Sequence, residues 1–487
     1  MRTLKKITLK LFILSIILTQ LPLLSLFCTE KDNRSNTDII EQISELLNKV
    51  SGEEQNIQIV KTTRLAPLKK KDWTIILYIS ADNDLRNFAI RNIKQMAKIG
   101  SNKHLNILVH LDIKLTGNKK STRRYYIEKN KILHVNANDP TSQKMDSGNP
   151  ETLISCCKWG VDNFPAKHYG LILWNHGTGA LDPRRGRIIK LSDLFTFNPQ
   201  TNKVDLDRSI GFLDFINAQQ MEDRGICWDD TTGNYLSNQD LDEALQKVHL
   251  EILKGEKFEL IGFDACLMQM IEIANIIKKY SKIMIGSQEV ILGTGWNYVE
   301  TLKPFLDKSL SPEDLSKHIV KSYKKTYGKI TNDYTLSAIN LEKTDKVEEN
   351  IHYLAQTLAF CLKNQKNKSV KKAVAASRNK LVCTHFDEPS FIDLHHFYSN
   401  LLDCLKYIEL KNKDEETEYK NTLKRILTEG KRLIESLVLK STSGKNLSKA
   451  KGLSIYFPTR RIYHSYRKLQ FCQNNDWILF LTQYLNT

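Results

Sequence analysis

The chain offers no zinc-ligand spacing, no phosphate-binding glycine loop with its lysine, and no basic stretch interleaved with aromatics. Those gaps set aside a zinc site, a P-loop nucleotidase and an RNA-binding module. An internal repeat is also lacking. Cysteine is sparse, with nine residues at positions 28, 156, 157, 227, 266, 361, 383, 404 and 472 and no framework spacing. Setting aside Cys28 and Cys266, whose surroundings are special, leaves an odd number. Most are therefore expected to be reduced and buried, although an exported protein permits a disulfide or two. The adjacent Cys156 and Cys157 are expected to pack within a helix.

Acidic residues are the scarcer charge: 55 Asp and Glu against 72 Lys and Arg give a formal net charge of +17. Such an excess suits nucleic acid, an anionic membrane or acidic partners. The lysines are scattered, however, with short clusters at Lys69-Lys70-Lys71 and Lys119-Lys120. That reads as a solvated basic surface and not as a nucleic-acid site. Hydrophobic content of 41% and charged content of 26% over 487 residues are ordinary for a globular protein with a sizeable core, and the length allows about two to four domains.

One long apolar run is present, at 11–27, broken only by Ser15, Thr19, Gln20 and Ser25. Arg2, Lys5, Lys6 and Lys10 precede it and a polar segment follows from Thr29, which matches an export signal over residues 1–28. Cys28 stands where a bacterial lipoprotein carries its lipidated cysteine, although Phe27 is bulky where that signal has a small residue. A plain cleaved signal and an uncleaved anchor remain open readings. The protein is expected to be exported, either held in a bacterial cell envelope or secreted. Residues 29–70 read as a polar tether or pro-segment with one amphipathic helix carrying Ile39, Ile40, Ile43, Leu46, Leu47 and Val50.

From Trp73 strands and helices alternate. Buried strands are expected at 73–79, 105–111, 171–174, 260–263 and 283–286, with a hairpin near 124–127. Helices are expected at about 85–99, 150–164, 239–253, 267–277, 312–325 and 343–363. Short apolar strands separated by helices imply an α/β fold with a mostly parallel sheet covered on both faces. In such sheets reactive groups gather at the carboxyl ends of strands. The polar stretch 180–235 reads as one long loop, a length that is usually functional or disordered. The C-terminal third adds helix, including 414–437, a strand-like 452–458 and a last helix near 476–484.

Two strand ends carry chemistry. Gly262-Phe263-Asp264-Ala265-Cys266-Leu267-Met268 follows one apolar strand and precedes a helix, whose N-terminus would favour a Cys266 thiolate. Leu173-Trp174-Asn175-His176-Gly177 ends another. One edge supplies a thiol and the other an imidazole, the minimum set for thiol nucleophilic catalysis. Cys266 would attack an acyl carbon and His176 would move the proton. The backbone N–H of Gly177, with that of Cys266, fits an oxyanion hole; a turn needing positive φ is the structural alternative for Gly177.

The segments 73–85, 171–179, 262–268, 286–296 and 452–458 together resemble the clostripain family of cysteine peptidases, in order, over about residues 71–460. The resemblance implies a caspase-like three-layer α/β/α sandwich at 71–345, followed by a mixed α+β C-terminal domain at 346–487. It implies cleavage after Arg or Lys, with Asp264 recognising the basic side chain; capping of the following helix is the alternative for Asp264. Ser287 and Trp296 would line the same pocket, Trp296 with core packing as its alternative. Thr294 stands where some relatives carry a second acid, which leaves the choice between Arg and Lys open. The basic cluster Arg184, Arg185, Arg187 and Lys190 would be a site of self-processing, or a plain solvated loop. Some relatives use calcium, but Asp82-Asn83-Asp84 offers too few ligands, so no cofactor or metal is expected to be required. The expected partners are peptides or proteins with basic residues, and a membrane through the N-terminal anchor. Two rival functions are a non-catalytic surface lipoprotein that keeps the fold for binding or adhesion, and a nucleotide-binding α/β protein; Gly177-Thr178-Gly179 lacks the continuation that the second would need.

Overall fold

The computed structural model of the protein describes residues 58–62, 69–115, 120–135, 144–181, 194–208, 225–364 and 367–486. The export signal, Cys28, most of the 29–70 segment and the cluster Arg184, Arg185, Arg187 and Lys190 lie outside the described residues.

In chain order the strands are β1 (Gln58–Lys61), β2 (Lys71–Ala81), β3 (Leu105–Lys114), β4 (Lys120–Glu128), β5 (Lys131–His134), β6 (Ala166–Trp174), β7 (Phe195–Asn198), β8 (Lys203–Leu206), β9 (Phe258–Asp264), β10 (Ser281–Gly286), β11 (Thr335–Asn340), β12 (Phe391–Asp393), β13 (Val438–Ser443) and β14 (Ser454–Tyr456). Ten of them form one sheet in the order β1-β5-β4-β3-β2-β6-β9-β10-β11-β13. Its centre, β3-β2-β6-β9-β10, is parallel, and antiparallel strands flank it on both sides. Residues 73–81 of β2 are buried without alternation, because both faces of a central parallel strand are covered by helices. The fold is thus the expected three-layer α/β/α sandwich.

Register sets the site. Ile79 of β2 lies opposite Trp174 of β6, and Trp174 lies opposite Asp264 of β9. His176 and Cys266 each stand two residues past that common row, at the carboxyl edge of the sheet.

Some expected elements need correction. The stretch 180–235 is not all loop, since it contains the β7–β8 hairpin. Strands β11 and β13 extend the sheet beyond the five strands expected. The expected boundary at 345/346 falls within one sheet, since β13 after it pairs with β11 before it. The helix after β9 spans Ile271–Ile277 with Met270 at its N-cap, several residues beyond the expected start at Leu267. Residues 265–270 instead form a turn in which Leu267 takes φ 62°, a left-handed conformation unfavourable for a branched side chain. All eight described cysteines are free, and six are buried.

Candidate functional site

Cys266 and His176 line one small cavity together with Asp264, Trp174, Leu292 and Gly293, among others. It holds about 20 Å³, room for about one water molecule. Cys266 is 4% exposed and His176 3%. A groove of about 780 Å³ beside Asp240, Asp242 and Lys279 is far larger but contains none of the candidate residues, so size does not mark the chemistry here.

The imidazole is held from two sides. His176 Nε2 lies 2.8 Å from Asp84 Oδ1. The ring also packs on Trp228, centroid to centroid at 5.2 Å. Asn175, the preceding residue, fixes the Trp228 loop: its Oδ1 accepts from the Trp228 N–H at 3.2 Å, and its amide donates to the Ser80 carbonyl at the end of β2. Against burial, which would raise it, the charge and hydrogen bond of His176 hold the Asp84 carboxyl below its ordinary range. Neither Asp84 nor Trp228 stood out as a site residue in the sequence.

The thiol is covered. The segment 287–296 crosses over it, and the Ile291 N–H donates to Cys266 Sγ at 3.2 Å while Sγ lies 3.6 Å from the Ile291 carbonyl. Burial pushes the Cys266 thiol well above its ordinary range, against the Ile291 hydrogen bond. The helix that follows starts only at Ile271, so its N-terminus does not adjoin Cys266 and the dipole assistance expected from it is absent. The cover is itself anchored. Glu289 accepts from the Val290 and Asp387 N–H groups and pairs with Arg208 at 2.6 Å. Its carbonyl accepts from the Leu267 N–H.

Gly177 has no positive φ; the positive-φ glycine of this turn is Gly179. What requires glycine at 177 is proximity, since a Cβ there would lie 2.6 Å from the Cys266 carbonyl oxygen.

Asp264 does not cap a helix. Its Oδ2 accepts from the Trp296 N–H and the Tyr298 hydroxyl, each at 2.9 Å. Its Oδ1 is buried without a hydrogen bond. Burial raises the carboxyl to about 7, against the pull of those two bonds. Gly295, at φ 62°, leaves the space: a Cβ there would meet both carboxylate oxygens at 3.1 Å or less. The other expected pocket residues stand elsewhere. The Ser287 hydroxyl faces Thr335 at 3.0 Å. Thr294 Oγ1 faces the Tyr327 hydroxyl at 3.5 Å. The Trp296 ring packs toward Gly262 in the core, and only its backbone serves Asp264. Tyr298 is the partner that sequence reasoning missed.

The turn after Cys266 is braced from the far end of the chain. Ser454 of β14 donates through both N–H and hydroxyl to the Gln269 carbonyl. Glu272 accepts from the Tyr456 N–H and the Tyr466 hydroxyl.

The side chains of Asp82-Asn83-Asp84 go three separate ways. Asn83 bonds the Ser80 and Trp228 carbonyls and the Leu85 N–H, Asp84 faces His176, and Asp82 turns inward to Lys120. Among the described residues no three Asp, Glu, His or Cys side chains form a ligand set for a metal ion.

The sequence model described as the clostripain family matches residues 77–191 and 214–484. Clostripain of Hathewaya histolytica is 23% identical over 442 residues, covering 80% of this chain and 75% of that protein. Two solved structures share the fold. One is a secreted C11 cysteine protease from Bacteroides thetaiotaomicron in complex with an irreversible peptide inhibitor, with TM-score 0.51, 18% identity, and 84% of this chain and 99% of that chain covered. The other is an inactive zymogen C11 protease from Parabacteroides distasonis, with TM-score 0.50, 19% identity, and coverage of 85% and 99%.

Proposed function

The chain belongs to the clostripain family of cysteine peptidases, and on that premise we propose that it is an exported endopeptidase cleaving peptide bonds after Arg or Lys. The observation that carries the specificity is the Asp264 Oδ1 oxygen, buried without a hydrogen bond in the cavity that Cys266 and His176 also line. A guanidinium or ammonium entering there would meet a preplaced carboxylate in a dry site, where a charge-assisted pair is strong and directional.

Cys266 gives up its proton to His176 and attacks the acyl carbon. Asp84 keeps the ring in place and stabilises the imidazolium. The N–H groups of Gly177 and Cys266 receive the developing oxyanion. His176 then hands its proton to the leaving amine, and water resolves the thioester. For any of this the 287–296 segment must withdraw Ile291 from Cys266. Cutting in the cluster Arg184, Arg185, Arg187 and Lys190 by the enzyme itself is our reading of how that begins, because those residues match the side chains Asp264 would select. Export rests on the basic and apolar N-terminus, with lipidation at Cys28 as the anchor; no helix among the described residues is long and apolar enough to cross a membrane. No cofactor enters the mechanism.

The test is hydrolysis of fluorogenic peptides ending in Arg, Lys, Asp or Leu by the wild type, Cys266→Ala and Asp264→Asn. We expect cleavage after Arg or Lys, none by Cys266→Ala, and loss of the basic preference in Asp264→Asn. Cleavage only after other residues would remove the Asp264 assignment. No cleavage of any peptide, even after nicking within 184–190, would favour the binding lipoprotein instead.

A further inference from the structure

One buried ionic cluster lies beside the site and takes no part in the chemistry above. Lys120, the first residue of β4, has a side chain only 8% exposed. Its Nζ faces three carboxylates that are themselves fully buried: Asp112 of β3 at 2.8 Å, Asp82 after β2 at 3.5 Å, and Asp229 at short range. The Ser147 N–H donates to Asp112 and Asp229, the Thr122 hydroxyl to Asp112, and the Thr232 N–H to Asp229. Burial raises the Asp82 carboxyl, and Thr231 and the Lys120 ammonium oppose that rise. Burial works against that ammonium, yet Asp112 and Asp229 hold Lys120 above its ordinary range.

The cluster joins the two loops that hold His176. Asp82 lies two residues before Asp84, the hydrogen-bond partner of the ring. Asp229 follows Trp228, which packs on it. The Asp230 N–H donates to the Asp82 carbonyl at 2.8 Å, so the loops also meet through their backbones. Carboxylates are the kind of oxygen donor a hard cation takes, but here three of them converge on an amine of the chain, and with that amine in place they form no ligand set for a metal ion.

We propose that the Lys120 ammonium is a built-in cation, filling the place a divalent metal ion would take among Asp82, Asp112 and Asp229, and so holding the Asp84 and Trp228 loops against His176 without metal. Lys120 is thus a positioning residue. Three buried carboxylates with no cation among them would repel one another and pull the loops apart, since unpaired buried charge is strongly destabilising. Removing the amine should convert the cluster into an open cation site.

The experiment compares purified wild type with Lys120→Met, a near-isosteric neutral side chain, in excess EDTA and in millimolar calcium chloride. Both melting temperature and hydrolysis of an Arg peptide are read. For the wild type, EDTA and calcium should give the same melting temperature and the same rate. In EDTA, Lys120→Met should melt lower and lose at least about tenfold in kcat with little change in KM. Calcium should restore both in the variant, as a ligand that binds only the folded state does. The proposal is overturned if EDTA inactivates or destabilises the wild type and calcium restores it, if the variant in EDTA equals the wild type, or if calcium affects the variant no more than the wild type. Should Lys120→Met not fold, Lys120→Met/Asp112→Asn, which removes one charge of each sign, must recover folded protein in EDTA; failure to do so overturns the proposal. The melting readout stands even if Arg peptides are not substrates, so failure here is separate from failure of the peptidase reading.

Discussion

At the scale of single side chains, Asp84 holds the imidazole of His176 through Nε2. Its side chain is 46% accessible, so replacing it disturbs packing little. Asp84→Asn should therefore lower kcat about 10- to 100-fold, leave KM nearly unchanged and leave the melting temperature close to that of the wild type; steady-state kinetics and a thermal scan check this together. Gly177→Ala forces a methyl group against the Cys266 carbonyl and should cost about 1–3 kcal/mol of stability, along with activity, measurable by urea unfolding. Asp264 gives a pH signature. Its carboxyl sits at about 7 in the closed pocket, and only its ionised form pairs with a cation. Cleavage after Arg should therefore rise with pH through about 7, and that rise should be absent in Asp264→Asn. Cys266, His176 and Asp264 were legible in the sequence because each follows or ends an apolar strand in a compact motif. Asp84, Trp228 and Tyr298 were not, since each acts across a fold-back: Asp84 reaches His176 over 92 positions, and nothing local marks it. Ser287, Thr294 and Trp296 were read as pocket residues from their segment, yet a tight loop sends successive side chains to different sides, and theirs go to Thr335, Tyr327 and the core.

At the scale of elements, the 287–296 segment governs access. Arg208 holds its Glu289 carboxylate, and Glu289 is fully buried. Arg208→Ala would leave that carboxylate without its main cation, the condition under which breaking a buried pair is costly. The segment should then loosen, and Cys266 should react with iodoacetamide at least about tenfold faster than in the wild type, because alkylation tracks the open population. An unchanged rate would mean that the other anchors of the segment suffice. The central strands were readable because burial on both faces leaves unbroken apolar runs such as 73–79. Strand β13 was not: its residues Val438-Leu439-Lys440-Ser441-Thr442-Ser443 are none of them fully buried, and a sheet-edge strand needs no apolar run. The late start of the helix after β9 escaped notice for a related reason, since the periodicity of 267–277 does not reveal that Leu267 is turned to positive φ.

At the scale of the molecule, buried carboxyls set the response to pH. Asp264 and Glu272 both sit at about 7, raised by burial against their hydrogen bonds, and burial raises Asp393 as well. Each binds its proton more tightly folded than unfolded, so its favourable contribution is complete below the unfolded value near 4; for Asp264 and Glu272 it is lost as pH rises from there through about 7. In the other direction, Asp229, pulled down to about 2 chiefly by Lys120 against burial, loses its contribution only below about 4, where the positive net charge also grows. The melting temperature should consequently peak near about pH 4 and fall toward pH 8, with a shallower fall in Asp264→Asn; calorimetry across that range checks it. The brace from Ser454 and Tyr456 to the turn behind the nucleophile has a different consequence, one of timing. Synthesis proceeds from the N-terminus, and that turn cannot be locked until Ser454, Tyr456 and Tyr466 have emerged. A nascent chain that ends short of Ser454 already contains Cys266 and His176 but not the strand that braces the turn behind the nucleophile, so activity should appear late in synthesis.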